Sequence, residues 1–308
     1  MTRSNLRWWF LTALACGAGA FAGCSAVAPR IAAGTVMPSR MIETDDLAAV
    51  TQVALQWAGK LGTDQVMVVY DLDNTLLAME QDLGSDQWYD WQKSLAAEYP
   101  CDSRLVNGLL AVQGGLYFAS AMRLTQADAP AQVQALQKAG LKVWALTSRG
   151  VDFRLQTFRE LRRAGLRFYP SAIGPLGGYT EPFVPPDGKR PVLYEDGVFL
   201  TAGQHKGKMF RALLEKTGTP APTLIFMVDD KVVNLQNVLD SFANSSTSIQ
   251  AYRYNREDPV VEAFDARQAE NQWQALLPAL LQLQALFGPD QFDIPDQSPP
   301  ANCAASVE

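Results

Sequence analysis

Two aspartates one residue apart close the apolar run in VMVVYDLDNTLLA, residues 66–78. Val66 to Tyr70 reads as a strand buried on both faces, because the run is apolar and rich in β-branched residues throughout. Asp71 and Asp73 then stand at its carboxyl end, the place where open α/β sheets hold their ligands. Carboxylates two strand residues apart, about 6–7 Å by the strand rise, repel each other unless a cation lies nearby. The pattern fits a hard divalent cation held next to a nucleophile.

Three further pieces follow in a fixed order. Thr147 ends a second apolar run, LKVWALT, and Lys206 and Lys208 open a helix-forming stretch. Asp229 and Asp230 end a third run, TLIFMVDD, with Asn234 beyond. Three of these four sets terminate apolar strands, so a parallel sheet brings them to one edge. The order DxDxT, terminal Thr, Lys, acidic pair resembles the haloacid dehalogenase superfamily over roughly residues 64–256. Within it the chain is similar to an uncharacterised bacterial group. It also shares a Trp-rich first insert and a lipoprotein-like N-terminus with the outer-membrane class C acid phosphatases.

The resemblance implies Mg²⁺-dependent hydrolysis of a small phosphorylated substrate, such as a nucleotide or a sugar phosphate. Asp71 would attack phosphorus and form an aspartyl-phosphate. Asp73 would handle the protons of the leaving oxygen and of water, with its backbone carbonyl on the metal. The expected metal set is Asp71, Asp73, Asp230 and Asp229, with Asn234 as an auxiliary group. Thr147 would donate to a phosphoryl oxygen, and a lysine would neutralise the transferred charge. Lys206, before Gly207, fits the family's Lys-Gly helix start better than Lys208. An aspartate at position 73 favours phosphatases and mutases over dehalogenases and transport ATPases. Two rivals remain: a surface lipoprotein that binds without turnover, and phosphotransfer to an acceptor other than water.

Strands alternating with helices position these residues, so the expected fold is α/β, with a Rossmann-like parallel sheet covered by helices on both faces. Residues 41–78 and 141–287 would form the core, with a helix over 41–61 and a final helix over roughly 265–286 packed on its outside. Residues 79–140 read as a helical cap, and 166–203 as a loop and hairpin insert turning at Asp196–Gly197. Residues 288–308, rich in Pro and polar residues, read as a disordered tail. Trp88, Tyr89 and Trp91 fall at helical spacing, which suits a packing face better than a ring-stacking platform. His205, the only histidine, reads as an exposed loop residue, and Arg149 as either a phosphate ligand or a surface residue.

Composition narrows the setting. A net charge of −6 and a pI near 5.0 argue against nucleic acid as a partner. Residues 1–23 carry Arg3 and Arg7, an apolar stretch and small residues, which is an export-signal pattern. The following Cys24 resembles a lipidation site, although Phe21 stands where Leu is usual and cleavage after Ala22 stays open. The expectation is an outer-membrane lipoprotein held to the membrane by its N-terminal lipid, or otherwise a soluble periplasmic protein, with 24–40 as a tether. Cys101 and Cys303 could pair in an oxidising compartment, but the tail composition favours leaving them apart.

Overall fold

The run at 66–70 is the middle of a sheet in the computed structural model, which describes residues 37–288, 293–298 and 303. In chain order the strands are β1 (Arg40–Thr44), β2 (Val66–Tyr70), β3 (Leu77–Met79), β4 (Met122–Leu124), β5 (Lys142–Thr147), β6 (Leu193–Glu195), β7 (Val198–Leu200), β8 (Leu224–Asp229) and β9 (Ser248–Tyr254). The helices are α1 (Leu47–Leu61), α2 (Asp86–Glu98), α3 (Leu109–Ala119), α4 (Ala129–Lys138), α5 (Arg154–Arg163), α6 (Lys206–Thr217), α7 (Val232–Phe242), α8 (Asp258–Glu262) and α9 (Ala266–Phe287). The main sheet runs β1-β9-β8-β2-β5-β7-β6, parallel throughout except for β6.

Alternate residues of β2 explain why the sheet is covered on both sides. Val66, Val68 and Tyr70 pack with Val50 and Ala54 of α1 and Val133 and Leu136 of α4. Met67 and Val69 face Phe210 and Leu213 of α6 and Leu235 and Val238 of α7. This is the two-sided burial that a continuous apolar strand requires. The fold is therefore α/β, with a mostly parallel central sheet flanked by helices.

Several expectations change. Residues 40–44 form an edge strand beside β9 rather than the end of a tether and the start of a helix, and the helix begins only after the Asp46 cap. The pairing depends on long-range contacts such as Arg40 Nε to Gln250 Oε1, at 3.0 Å, which local periodicity does not contain. The hairpin turns at Asp196 and Gly197, both at positive φ, as its sequence suggests. It is not a separate insert, because β7 pairs with β5 and extends the sheet. Helix α4, expected in the cap, packs on α1 beside the sheet. Residues 80–121, between the antiparallel strands β3 and β4, form the helical insert proper.

That insert has its own core, and the C-terminal part of the chain completes it. Trp88, Val112 and Leu116 pack against Ala269 and Trp273 of α9, so the last helix lies on the insert instead of the sheet. The tail is docked wherever it is described, which overturns the expectation of disorder there. The Asn107 amide group donates to the carbonyls of Asp296 and Ser298, and Gln297 exchanges hydrogen bonds with the Asn107 backbone. Cys101 and Cys303 form a disulfide, against the expectation from composition. Backbone and amide hydrogen bonds hold this segment, and a composition count has no access to them. Cys24 and the proposed signal region lie outside the described residues.

The disulfide closes a loop across 202 positions, so it restricts the unfolded chain strongly. Cys303→Ala should lower the unfolding free energy by about 2–5 kcal/mol. Amide exchange in α2 and α3 should speed up while β2 and β8 keep their protection. Unchanged exchange in the insert would show that the tail does not hold it.

Candidate functional site

Strand order reverses direction at β2: the chain moves first to β5 on one side and later to β8 on the other. Side chains leaving the carboxyl end of β2 enter the resulting crevice. Asp71 is held there by its amide, which donates to the Val228 carbonyl at 2.8 Å. The chain then curls tightly, with the Leu72 carbonyl accepting from the amides of Thr75, Leu76 and Leu77. Asn74 takes φ 54°, a left-handed conformation that asparagine tolerates better than most residues. Asp71 and Asp73 therefore lie on a turn rather than along one strand edge, and they meet different partners.

Asp71 meets Lys206. The Lys206 ammonium group is buried, 2.7 Å from Asp71 Oδ1 and 2.6 Å from Asp229 Oδ2. Both contacts are charge-assisted, so Asp71 Oδ1 is engaged by the lysine, and the second Asp71 oxygen takes no hydrogen bond from the described residues. Burial works against the lysine's charge, but Asp229 and Asp71 outweigh it and push its pKa up. Gly207 is what lets this helix start come so close. A Cβ there would lie 2.0 Å from the Asn237 carbonyl oxygen of α7. Lys208 is exposed on the helix surface, and exposed His205 caps the helix by accepting from the Lys208 amide.

Asp229 is fully engaged, since its other oxygen accepts from the Lys231 amide at 2.9 Å and from Asn234 Nδ2 at 3.0 Å. Asp230 is not: its Oδ1 is buried without a partner. One oxygen each from Asp71, Asp229 and Asp230 lie within 4.8 Å of one another. Acceptor-only oxygens collected in a buried crevice suit a hard cation, and the orphaned Asp230 and Asp71 oxygens are where such an ion gains most. Burial, against the pull of Lys206 and with help from Asp229 and Asp73, pushes Asp71 up to about 7, and burial with Asp229 and Asp71 raises Asp230 well above the ordinary carboxylate range. An ion at this place would reverse both shifts.

Asp73 does not join that cluster. Its carboxylate takes a two-pronged contact from Arg149, at 2.9 and 2.7 Å, and a hydrogen bond from the Tyr117 hydroxyl at 3.2 Å. Burial raises its pKa, but the Arg149 charge and the hydrogen bonds from Arg149 and Tyr117 win and hold it below the usual value. Arg149 is itself buried, anchored on Thr157 of α5 and stacked over the Tyr117 ring at 4.9 Å. Arg149 is thus neither a surface residue nor free to take a phosphate while Asp73 holds it. Thr147, at the end of β5, is buried, and its hydroxyl accepts from the Arg149 amide at 3.2 Å.

The structure thus brings Asp71, Lys206, Asp229 and Asp230 into one buried cluster, with Asp73 and Thr147 joined through Arg149 beside it. Sequence reasoning missed Tyr117 and the pairing of Lys231 with Asp86 and Asp90, both 2.7 Å away on α2. All of these reach the site from the insert or toward it, and no local motif marks them. Trp88 is buried in the insert core, in keeping with a packing role.

Residues 43–286 match the family described as Protein of unknown function (DUF2608), and the chain belongs to that family. No curated protein matches the chain.

The raised pKa values give a testable sign. In the metal-free folded protein Asp71 keeps its proton up to about pH 7, whereas the unfolded chain releases it near the ordinary value of 3.8. Its contribution to stability is therefore present in acid and is lost as pH rises through 7. A divalent cation needs the ionised carboxylates, so the Mg²⁺-induced rise in Tm should be larger near about pH 8 than near about pH 5.5. Asp230→Asn should remove most of that rise. A metal effect independent of pH in thermal melts would contradict the site.

Proposed function

We propose that the chain is a Mg²⁺-dependent phosphomonoesterase of the haloacid dehalogenase type, acting through an aspartyl-phosphate on Asp71. The observation that carries this is the Asp71 carboxylate: buried, with one oxygen 2.7 Å from the Lys206 ammonium and the other taking no hydrogen bond from the described residues. A carboxylate kept only for an ion pair gains from filling both oxygens with hydrogen bonds, as Asp229 does. A nucleophile needs one oxygen left open.

Attack by an Asp71 oxygen forms a bond to phosphorus as the bond to the leaving alcohol oxygen breaks. The Lys206 ammonium group is within reach of the charge that builds on the nucleophile and the phosphoryl group, and it does not have to move to meet it. Asp230, with Asp71, would hold Mg²⁺, which supplies charge neutralisation of the phosphoryl oxygens. Thr147 would donate to a phosphoryl oxygen, and Asn234 donates to Asp229 and holds it in position. Arg149 and Tyr117 keep Asp73 ionised, the state that takes a proton from the water attacking the phosphoenzyme. The same carboxylic acid then returns that proton to the next leaving oxygen.

Arg3, Arg7, the apolar stretch after them and Cys24 support export and lipid attachment as the setting, with membrane contact through the N-terminal lipid.

Purified protein should release phosphate from an aryl phosphate only when Mg²⁺ is present. Asp71→Asn should abolish release in protein that still folds, because Lys206 stays paired with Asp229, and Asp73→Asn should cost about 10²–10⁴-fold. Full activity in Asp71→Asn would end the proposal. Arg149→Met should remove the strongest group that opposes burial at Asp73, leaving Tyr117 and Lys206, so the acid limb of the pH–rate profile should move to higher pH. A limb that stays in place would remove Asp73 from the proton transfers.

A further inference from the structure

The insert supplies two carboxylates that reach Lys231, beside the acidic cluster. Helix α2 opens at Asp86 behind the Ser85 cap, and Asp90 follows one turn later. Both lie 2.7 Å from Lys231 Nζ, the residue directly after Asp230, whose amide binds Asp229. The field of Asp86 reaches Asp73 and Asp230, so it belongs to the electrostatic surroundings of the cluster. Tyr117 of α3 closes on Asp73 from the same insert. Asp73 is the proposed proton donor to the leaving oxygen, so the alcohol portion of a substrate would lie toward the insert that carries Tyr117 and Asp86.

Charge then decides what that portion can be. Lys206 is already shared by Asp71 and Asp229, Arg149 is taken by Asp73, and Lys231 is divided between Asp86 and Asp90. One divalent cation offsets one phosphoryl dianion and leaves no surplus positive charge. Arg190, whose field reaches Tyr89, and Lys93, whose ammonium lies 5.5 Å from the Tyr89 ring centre, are both exposed to solvent, where screening weakens them. A second anionic group would therefore meet Asp86 and Asp90 with only solvent-screened cations to answer it, whereas an ammonium group can share those carboxylates with Lys231.

We propose that Asp86, Asp90 and Lys231 select the leaving group, so that the site takes phosphate monoesters of uncharged or ammonium-bearing alcohols and rejects those carrying a second phosphate or a carboxylate. This selection presupposes the phosphomonoesterase chemistry proposed above.

The test compares two non-hydrolysable ligands of similar length, 2-aminoethylphosphonate and phosphonoacetate, by calorimetry on the full protein with Mg²⁺. The amine should bind at least about tenfold more tightly, and Asp86→Asn with Asp90→Asn should erase or invert that preference. Lys231→Met should move the other way and deepen the rejection of phosphonoacetate, so the two variants check each other if either folds poorly. Equal binding of both ligands, or a preference untouched in the variants, overturns the selection. If aryl phosphate is still hydrolysed in that case, the phosphatase proposal stands without it. Absence of both turnover and phosphonate binding removes the two together.

Discussion

Lys206 sits where three carboxylates would otherwise repel one another in a crevice with little water. Its ammonium group bridges Asp71 and Asp229, both at or near full burial, and the rest of the site takes its shape from that contact. Removing one partner from a buried ion pair costs roughly 3–5 kcal/mol, because the group left behind stays charged and dry. The backbone is arranged to keep the lysine there. Gly207 lets α6 lie against the Asn237 carbonyl, and Asn234 and the Lys231 amide hold the far side of Asp229. Asp230 keeps a buried oxygen without a partner, and Asp71 is the member proposed to react.

A second layer is built on this one. The insert between β3 and β4 touches the crevice at two points, Tyr117 on Asp73 and the Asp86–Asp90 pair on Lys231. On its other side it packs against α9 and is held by the docked tail and the Cys101–Cys303 disulfide. The C-terminal part of the chain thus helps to position the insert, and the insert in turn sets the charge around the leaving-group side. A covalent tie of this kind suits an oxidising compartment, the setting that the N-terminal residues suggest.

What could be read from the sequence follows from which signals are local. Strands β2, β5 and β8 announce themselves as apolar runs, and their carboxyl ends carry Asp71, Thr147 and Asp229, so the convergence on one edge was legible. Lys206 was distinguishable from Lys208 only through Gly207, whose close approach to α7 explains that pairing of residues. Arg149 and Tyr117 were not legible in their roles: Arg149 follows a strand like many surface arginines, and Tyr117 faces Asp73 only because the insert folds back. The tail and β1 were misread for a related reason. Both are held by partners about 190 to 210 positions away, and short windows of composition contain no trace of them.

The central claim is that an Asp71 oxygen attacks phosphorus beside a cation shared with Asp230. The most direct measurement is a crystal structure grown with Mg²⁺ and beryllium fluoride, a mimic of a phosphoryl group on a carboxylate. The account predicts a trifluoroberyllate bonded to Asp71, an ion between Asp71 and Asp230, and Lys206 against the fluorides. An unmodified Asp71 still paired with Lys206, with the ion bound elsewhere or absent, would contradict it.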